Sequence, residues 1–249
     1  MKSTKELYLD LLKKCLTDMI YADSQVHPNL QLEKYDESKR MVGLDCPTNA
    51  HTMIGMKRLN NLQLCVEDVL KRNVPGDLIE TGVWRGGATI LMRGILKAYE
   101  VTDRNVWVAD SFQGLPPPNP EKYSADKGDK HHEFKELSVS IKQVQDNFAK
   151  YDLLDMQVKF LKGWFRDTLP TAPMDKLAVI RLDGDMYEST MDALVSLYPK
   201  LSVGGYLIVD DYGAIESCRK AIHDYINSNQ IKETIIPIDW TGVYWQKTC

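Results

Sequence analysis

The chain has 249 residues, of which 43 % are hydrophobic and 27 % charged, the composition of a globular protein with one large or two small domains. Acidic residues outnumber basic ones by 35 to 31, so we expect neither nucleic acid nor an anionic membrane as a partner. Apolar runs stay short of the ~18 residues of a membrane span, and there is no signal-peptide pattern. With five widely spaced cysteines, we expect a cytoplasmic protein with reduced thiols.

The first predicted elements are two amphipathic helices. One spans 3–21 and begins with a capping-box pattern at Ser3, and the other spans 51–72. Residues 22–50 between them are polar and carry no period, so we predict irregular structure there. We interpret residues 1–75 as a helical arm that belongs to the same domain as the rest of the chain.

Strands and helices are predicted to alternate from residue 77 onward, which indicates a mostly parallel α/β sheet covered by helices on both faces. The last two strands are close enough in sequence to form an antiparallel hairpin. Five helix-linked strands followed by a hairpin are similar to the Rossmann-like, seven-stranded plan of class I methyltransferases, so we expect a core of that architecture over 76–249. The predicted strand segments are 77–87, 105–114, 157–165, 177–187, 204–213, 233–239 and 242–247.

The longest connection, 113–136, is polar, rich in proline and without period. Connections of this length in a compact domain are commonly lids or binding loops, so we predict a lid. We interpret its His131 and His132 as substrate-facing or solvated side chains rather than metal ligands.

Ligands of such sheets bind outside the carboxyl ends of the strands, so the residues directly after each strand are the candidates for chemistry. The first strand runs into Glu80 and a turn with Gly82 and Gly86, which lets the backbone approach a ligand at a helix N-terminus. An acid before those glycines suits a cationic group, such as that of a sulfonium amino acid. The spacing is neither GxGxxG nor a P-loop.

Asp110 and Ser111 end the second strand, where a carboxylate can accept hydrogen bonds from both hydroxyls of a ribose. Trp164 follows the third strand and could cover an adenine ring, although a core position is the alternative. Together with Glu80 these residues indicate an adenosine-bearing carrier, with a nicotinamide cofactor as the open alternative.

Three further acids follow later strands: Asp183, and the adjacent pair Asp210 and Asp211. Neighbouring parallel strands would bring them to one edge of the sheet, where like charges raise one another's pKa unless a cation is bound. Hard oxygen ligands favour Mg²⁺, with Ca²⁺ or Mn²⁺ as substitutes. The alternative interpretation is a set of solvated acids that cap strands or helices.

Over nearly its whole length the chain closely resembles the macrocin O-methyltransferase family, enzymes that methylate sugar hydroxyls of macrolides and related natural products. The resemblance implies S-adenosylmethionine and Mg²⁺ as cofactors, a small-molecule natural-product acceptor, and a homodimer or homotetramer. Segments 25–47 and 116–134 depart from the macrolide enzymes, which leaves the acceptor open. The matching segments are ELYLDLL, HTMIGMKRLNNLQLCVE, VPGDLIETGVWRGGA, VWVADSFQGLP, GWFRDTLPTAP, RLDGDMYESTMD, GGYLIVDDYG and GVYWQ.

The same resemblance implies roles for particular residues. Asp183 would be the general base and also a metal ligand, together with Asp210 and Asp211. Glu33 and Met53 would contact the acceptor. The residues implied to line the methyl donor are Asn60, Glu80, Thr81, Gly82, Val83, Gly86, Asp110, Ser111, Trp164 and Asp183.

The reaction that follows is transfer of a methyl group to a sugar hydroxyl, which a bound cation would help to ionise. Three alternatives stay open at this point: a catechol-type metal-dependent O-methyltransferase, an NAD(P)-dependent oxidoreductase, and a cofactor-binding protein without chemistry. The missing GxGxxG pattern argues against the oxidoreductase. The intact set Asp183, Asp210 and Asp211 argues against a protein that has lost its chemistry.

Overall fold

A computed structural model describes residues 1–26 and 31–249 of the chain. Two short antiparallel strands, β1 (Gln25–Val26) and β2 (Leu32–Glu33), lie in the N-terminal arm. The other strands form one seven-stranded sheet: β3 (Asp77–Thr81), β4 (Val106–Asp110), β5 (Val158–Lys162), β6 (Leu177–Leu182), β7 (Leu201–Val209), β8 (Ile236–Pro237) and β9 (Val243–Gln246).

The strand order in this sheet is β5-β4-β3-β6-β7-β9-β8. Strands β3 to β7 pair in parallel, and β9 lies antiparallel to both of its neighbours, β7 and β8. The predicted Rossmann-like sheet with its closing hairpin is therefore confirmed. Strand β3 lies between β4 and β6: the strand order runs from β3 through β4 to β5 on one side, and from β6 to β7 on the other. The order therefore reverses beside β3, and the crevice at this switch point is where such sheets bind ligands.

Helices cover both faces of the sheet, as the alternation of strands and helices predicted. Leu78 and Ile79 are adjacent in β3, and both are fully buried, but they belong to opposite hydrophobic clusters because successive side chains of a strand point to opposite faces. Burial of each stabilises the fold by about 1.5–3 kcal/mol. The helices are α1 (Thr4–Leu16), α2 (Glu37–Val42), α3 (Gly55–Lys71), α4 (Gly87–Ala98), α5 (Ile141–Ala149), α6 (Phe165–Thr168), α7 (Tyr187–Leu197) and α8 (Glu216–Ser228).

The two clusters divide these helices between the faces. Helices α1, α3, α4 and α5 pack on one face of the sheet, and α7 and α8 pack on the other. Within residues 1–26 and 31–249, none of the helices combines the length and the apolar character needed to cross a membrane.

The arm differs from its prediction in three ways, one of which is that its second long helix begins at Gly55 instead of residue 51. Helix α1 has the expected capping box at Ser3, but it ends at Leu16 instead of residue 21, because Asp18 takes a positive φ of 51°. Residues 22–50 are not irregular throughout, since β1, β2 and α2 form there; residues 27–30 of that segment lie outside the described residues.

A buried ion cluster explains why hydrophobic periodicity missed this part of the arm. The guanidinium of Arg40 is fully buried and donates to the carboxylates of Asp23 at 2.5 Å and Asp45 at 2.6 Å. The second oxygen of Asp23 accepts the backbone N–H of Asn49 at 2.6 Å. Residues 22–50 of the arm are thus organised by charge and hydrogen bonds rather than by an apolar stripe.

Candidate active site

A cavity of about 780 Å³ opens at the carboxyl ends of the parallel strands. Its walls come from the loops after β3, β4, β5, β6 and β7, from the arm, and from the segment 113–136. Small-molecule sites typically occupy about 300–1,000 Å³, so this cavity has the size of a small-molecule site.

Gly82 brings the loops after β3 and β6 into direct contact. It takes a positive φ of 81°, and a Cβ built on it would lie 1.6 Å from the carbonyl oxygen of Asp183. Every other residue type would collide with that backbone, so glycine is required here. The close approach places the turn after β3 against the residue that begins the acidic loop after β6.

Three loops at the same edge hold non-glycine residues with positive φ: Trp84 at 46°, Phe112 at 57° and Asp185 at 57°. Such conformations are sparsely populated, and they persist where the surrounding contacts hold them. Asp110 supplies one of those contacts, because its carboxylate accepts the backbone N–H of Val83 at 2.8 Å and that of Phe112 at 2.6 Å. It thereby ties the loop after β4 to the loop after β3.

Glu80 presents a buried carboxylate to the cavity. It is 2 % exposed, and its Oε1 accepts a hydrogen bond from Arg181 Nη1 at 2.5 Å. Its Oε2 is buried and has no hydrogen-bond partner among the described residues. Burial raises the pKa of Glu80 to about 7, while Arg181 opposes the rise. A cationic hydrogen-bond donor in the cavity would satisfy the unpaired oxygen and favour the ionised form.

Asp183, Asp210 and Asp211 converge as the sequence predicted. Each offers one carboxylate oxygen, and these oxygens lie within 4.8 Å of one another. Removal from water raises the pKa of Asp183 and of Asp211 well above the usual value, and neighbouring carboxylates raise them further. Three hard oxygen donors that repel one another in this way fit a divalent cation such as Mg²⁺.

Two arginines that sequence reasoning missed hold these acids. Arg181 is 1 % exposed, and besides Glu80 it contacts Asp183 at 2.8 Å and also Asp210. Arg58 contacts the other oxygen of Asp210. Asp210 is therefore held between two guanidinium groups, which fixes the orientation of its carboxylate.

Arg58 also connects the acids to the two segments that form the outer wall. Its Nε donates to Asp239 at 3.1 Å, in the turn before β9, and its Nη2 donates to the carbonyl of Val42 at 3.2 Å, at the end of α2. The indole of Trp240 donates to the same carbonyl at 2.9 Å. One buried guanidinium thus joins the arm, the C-terminal hairpin and the acidic cluster.

Most of the predicted site residues lie on the cavity wall. Glu33 and Met53 approach it from the arm, and Trp164 precedes α6 with a half-buried side chain. The predicted residues that line the cavity are Glu33, Met53, Glu80, Gly82, Val83, Asp110, Ser111, Trp164, Asp183, Asp210 and Asp211.

Three of the residues predicted to line the methyl donor are not among those that line the cavity. The side chain of Asn60 is exposed on α3 and accepts a hydrogen bond from Lys13 Nζ of α1 at 2.6 Å. Thr81 is fully buried in β3, away from the cavity wall. Gly86 precedes α4, where a Cβ would lie 2.8 Å from the side chain of Val144, so its space is filled by α5.

The segment 113–136 forms one side of the cavity. Short 3₁₀ turns at Ser124–Asp126, His131–Glu133 and Lys135–Leu137 give it local structure. His131 lines the cavity, and its Nδ1 lies 2.7 Å from the carboxylate of Asp129.

Comparison with known proteins agrees with this geometry. A Rossmann-like seven-stranded sheet is the fold of S-adenosylmethionine-dependent O-methyltransferases, and both the family model and the solved structure that match this chain are those of O-methyltransferases. A family model described as macrocin-O-methyltransferase (TylF) matches residues 5–247, and the chain belongs to that family.

Relatives and a solved structure match over nearly their whole length. The chain is 56 % identical to demethyldecarbamoylnovobiocin O-methyltransferase of Streptomyces niveus, over 99 % of this chain and 95 % of the relative. It is 54 % identical to mycinamicin III 3''-O-methyltransferase of Micromonospora griseorubida, over 98 % and 97 %. The structure of the O-methyltransferase NovP superimposes with a TM-score of 0.94 at 56 % identity, over 98 % of this chain and 100 % of that one.

Proposed function

We propose that this enzyme transfers a methyl group from S-adenosylmethionine to a sugar hydroxyl of a natural product, with Mg²⁺ as a second cofactor. The observation that carries the proposal is that one cavity joins the unpaired carboxylate oxygen of Glu80 and the loop-bridging Asp110 to the cluster Asp183, Asp210 and Asp211. A relative that is 53 % identical and named for 4'-O-methylation of a rhamnosyl-tetracenomycin supports the acceptor class, and so do the names of the demethyldecarbamoylnovobiocin and mycinamicin III enzymes.

The residues at the end of β3 and β4 fit S-adenosylmethionine. The buried Oε2 of Glu80 would accept a hydrogen bond from the ammonium of its methionine part, and Gly82 leaves room for the backbone to approach it. Asp110 would accept from the ribose hydroxyls, and Trp164 would cover the adenine. When bound, this cofactor supplies a methyl group already activated on a sulfonium.

Asp183, Asp210 and Asp211 would hold Mg²⁺, which lowers the pKa of a hydroxyl placed beside it. The side chain of Asp183 is 25 % exposed, more than that of Asp210, so it can reach an acceptor in the cavity. Asp183 would act as the general base that takes the proton from the hydroxyl. Arg58 and Arg181 keep Asp210 oriented during this step.

The proposal also assigns roles to the larger parts of the chain. Residues 1–75 form an arm that carries the acceptor contacts Glu33 and Met53, and residues 113–136 form the lid of a core that spans 76–249. Assembly into a homodimer or homotetramer through the N-terminal helices would follow the pattern implied by the family.

The proposal is tested by incubating the purified enzyme with S-adenosylmethionine and demethyldecarbamoylnovobiocin, mycinamicin III or a simple catechol, each with Mg²⁺ or with EDTA. We expect a product heavier by one methylene from a glycosylated acceptor, and loss of that product in EDTA. Methylation of the catechol alone would contradict the acceptor class. Undiminished turnover in EDTA would contradict the role of the metal.

A further inference from the structure

The lid is attached to the core through a buried carboxylate. Among residues 113–136, all of which the structure describes, Asp126 is the most buried, with 1 % exposure. The lid's neighbouring residues are exposed or half-buried, so apolar packing contributes little to its position. A charged residue buried at this point needs strong partners, because an unpaired buried carboxylate is costly.

Those partners are the first backbone N–H groups of α7. Asp126 Oδ1 accepts from Tyr187 at 2.7 Å, and Oδ2 accepts from Glu188 at 3.0 Å. The residue before the helix, Met186, provides no side-chain cap of its own. Asp126 therefore caps α7 from about 60 residues away in sequence, where the helix dipole also favours a negative charge. The ring of Tyr123, also in the lid, lies 5.7 Å from that of Tyr187.

The loop that joins β6 to α7 lies directly beside this contact and carries Asp183. Its other end is held from the sheet side, where Gly82 contacts the Asp183 carbonyl and the backbone N–H of Asp185 donates to Asp211 at 3.2 Å. The loop is short, and Asp185 within it takes a positive φ. A shift of the first turn of α7 would therefore change the path of this loop.

We propose that Asp126 is a positioning residue, which latches the lid to the first turn of α7 and thereby holds the 183–186 loop in the geometry used for methyl transfer. The hydrogen bonds of Asp126 and the contact between Tyr123 and Tyr187 support the latch itself, whereas its effect on turnover rests on the proposed function. The lid also carries His131 and Phe134 to the cavity wall, so release of the latch would open the acceptor side of the site.

Amide hydrogen exchange of the full chain, with and without S-adenosylhomocysteine, tests the latch without any acceptor. We compare Asp126→Ala and Asp126→Asn with the wild type, and use Glu121→Gln as the matched control, because Glu121 is an exposed lid carboxylate. In Asp126→Ala we expect roughly tenfold faster exchange at the amides of Tyr187 and Glu188, the factor that corresponds to about 1.4 kcal/mol. Lid peptides should also exchange faster, while peptides of α4 should not change.

Asp126→Asn retains one carbonyl oxygen and should give an intermediate result, which keeps the test valid if the alanine variant folds poorly. With an acceptor that the wild type methylates, Asp126→Ala should raise KM and lower kcat, with unchanged affinity for S-adenosylhomocysteine. Wild-type exchange in the lid and in the first turn of α7 would overturn the latch. Faster exchange with an unchanged kcat would overturn the coupling to Asp183. If no acceptor is methylated even by the wild type, the proposed function fails, and the exchange data still decide the latch.

Discussion

Replacement of Arg181 by methionine tests the charge balance of the site. The guanidinium is 1 % exposed and contacts Glu80, Asp183 and Asp210, and methionine has a similar reach without the charge. Loss of one partner of a buried ion pair costs about 3–5 kcal/mol, and we expect the lower end, about 3 kcal/mol, because Arg58 still contacts Asp210. For a chain of this size, each kcal/mol lost from the free energy of unfolding lowers Tm by roughly 2–4 °C, so the Tm of Arg181→Met should fall by roughly 6–12 °C.

The stability lost in Arg181→Met should depend on pH. A carboxyl whose pKa is raised on folding keeps its proton in the folded state after the unfolded chain has lost it, so stability falls as pH rises through that interval. For Glu80 the interval runs from 4.5 to about 7 in the wild type. Without Arg181 the pKa of Glu80 rises further, which extends the interval upward. The variant should therefore lose most stability at alkaline pH and least toward pH 4.5.

The assay is urea and thermal unfolding of both proteins across this pH range, with and without Mg²⁺. Because a divalent cation would replace part of the missing positive charge, Mg²⁺ should raise the Tm of Arg181→Met more than that of the wild type. Arg93→Met is the control, since Arg93 is a buried arginine paired with Asp155 outside the cavity, and Mg²⁺ should raise its Tm only as much as that of the wild type. Wild-type stability of Arg181→Met, or an equal Mg²⁺ effect on all three proteins, would refute the reasoning.

Three further predictions concern single residues. Asp183→Asn should lower kcat by roughly 10²–10⁴-fold, the usual contribution of a general base, and circular dichroism should show an intact fold; near-normal turnover in saturating Mg²⁺ would disprove the assignment. Trp164→Ala should weaken binding of S-adenosylhomocysteine in calorimetry by roughly 1–3 kcal/mol, the contribution of base stacking on an aromatic ring, and an unchanged Kd would count against the adenine contact. Burial lowers the pKa of His51 from 6.5 to about 4, so folding favours the neutral form of its ring. The stability that follows from this shift, at most about 3 kcal/mol, is present above pH 6.5 and is lost as the pH falls from 6.5 to about 4. His51→Gln should flatten this part of the stability profile, and a profile identical to the wild type would show that the ring is not the cause.

The sheet was predictable because its signal is local. Each buried strand is an apolar run that ends at an acid or a glycine, and the carboxyl ends of parallel strands must meet at one edge. That rule alone placed Glu80, Asp110, Asp183, Asp210 and Asp211 around one cavity, as the structure has them.

The two arginines were not predictable in the same way, because their significance depends on register and on distant contacts. Arg181 lies within an otherwise apolar strand, and its role follows only once it pairs with Glu80 across β3 and β6. A charged residue inside LAVIRL, two positions before Asp183, was the available signal. Asn60 illustrates the opposite case, since its motif matched but the helix presents it to α1 and solvent.

Under the proposed function, formal charges balance before and after methyl transfer within one group: Arg58, Arg181, the carboxylates that they contact, and the acids that would hold the cation. Asp110 and Asp185 also line the cavity but lie outside this group. Five carboxylates either contact Arg58 or Arg181 or would hold the cation. The two guanidinium groups offset two of these negative charges, which leaves three. Those five are Glu80, Asp183, Asp210, Asp211 and Asp239.

A divalent cation and the single net positive charge of S-adenosylmethionine would neutralise the remaining three. When the methyl group leaves the sulfonium, the cofactor loses its positive charge, and the acceptor hydroxyl releases a proton. If Asp183 takes that proton, the positive charge stays inside the same cavity and no net charge has to be moved in a low-dielectric site, where such a change would be costly.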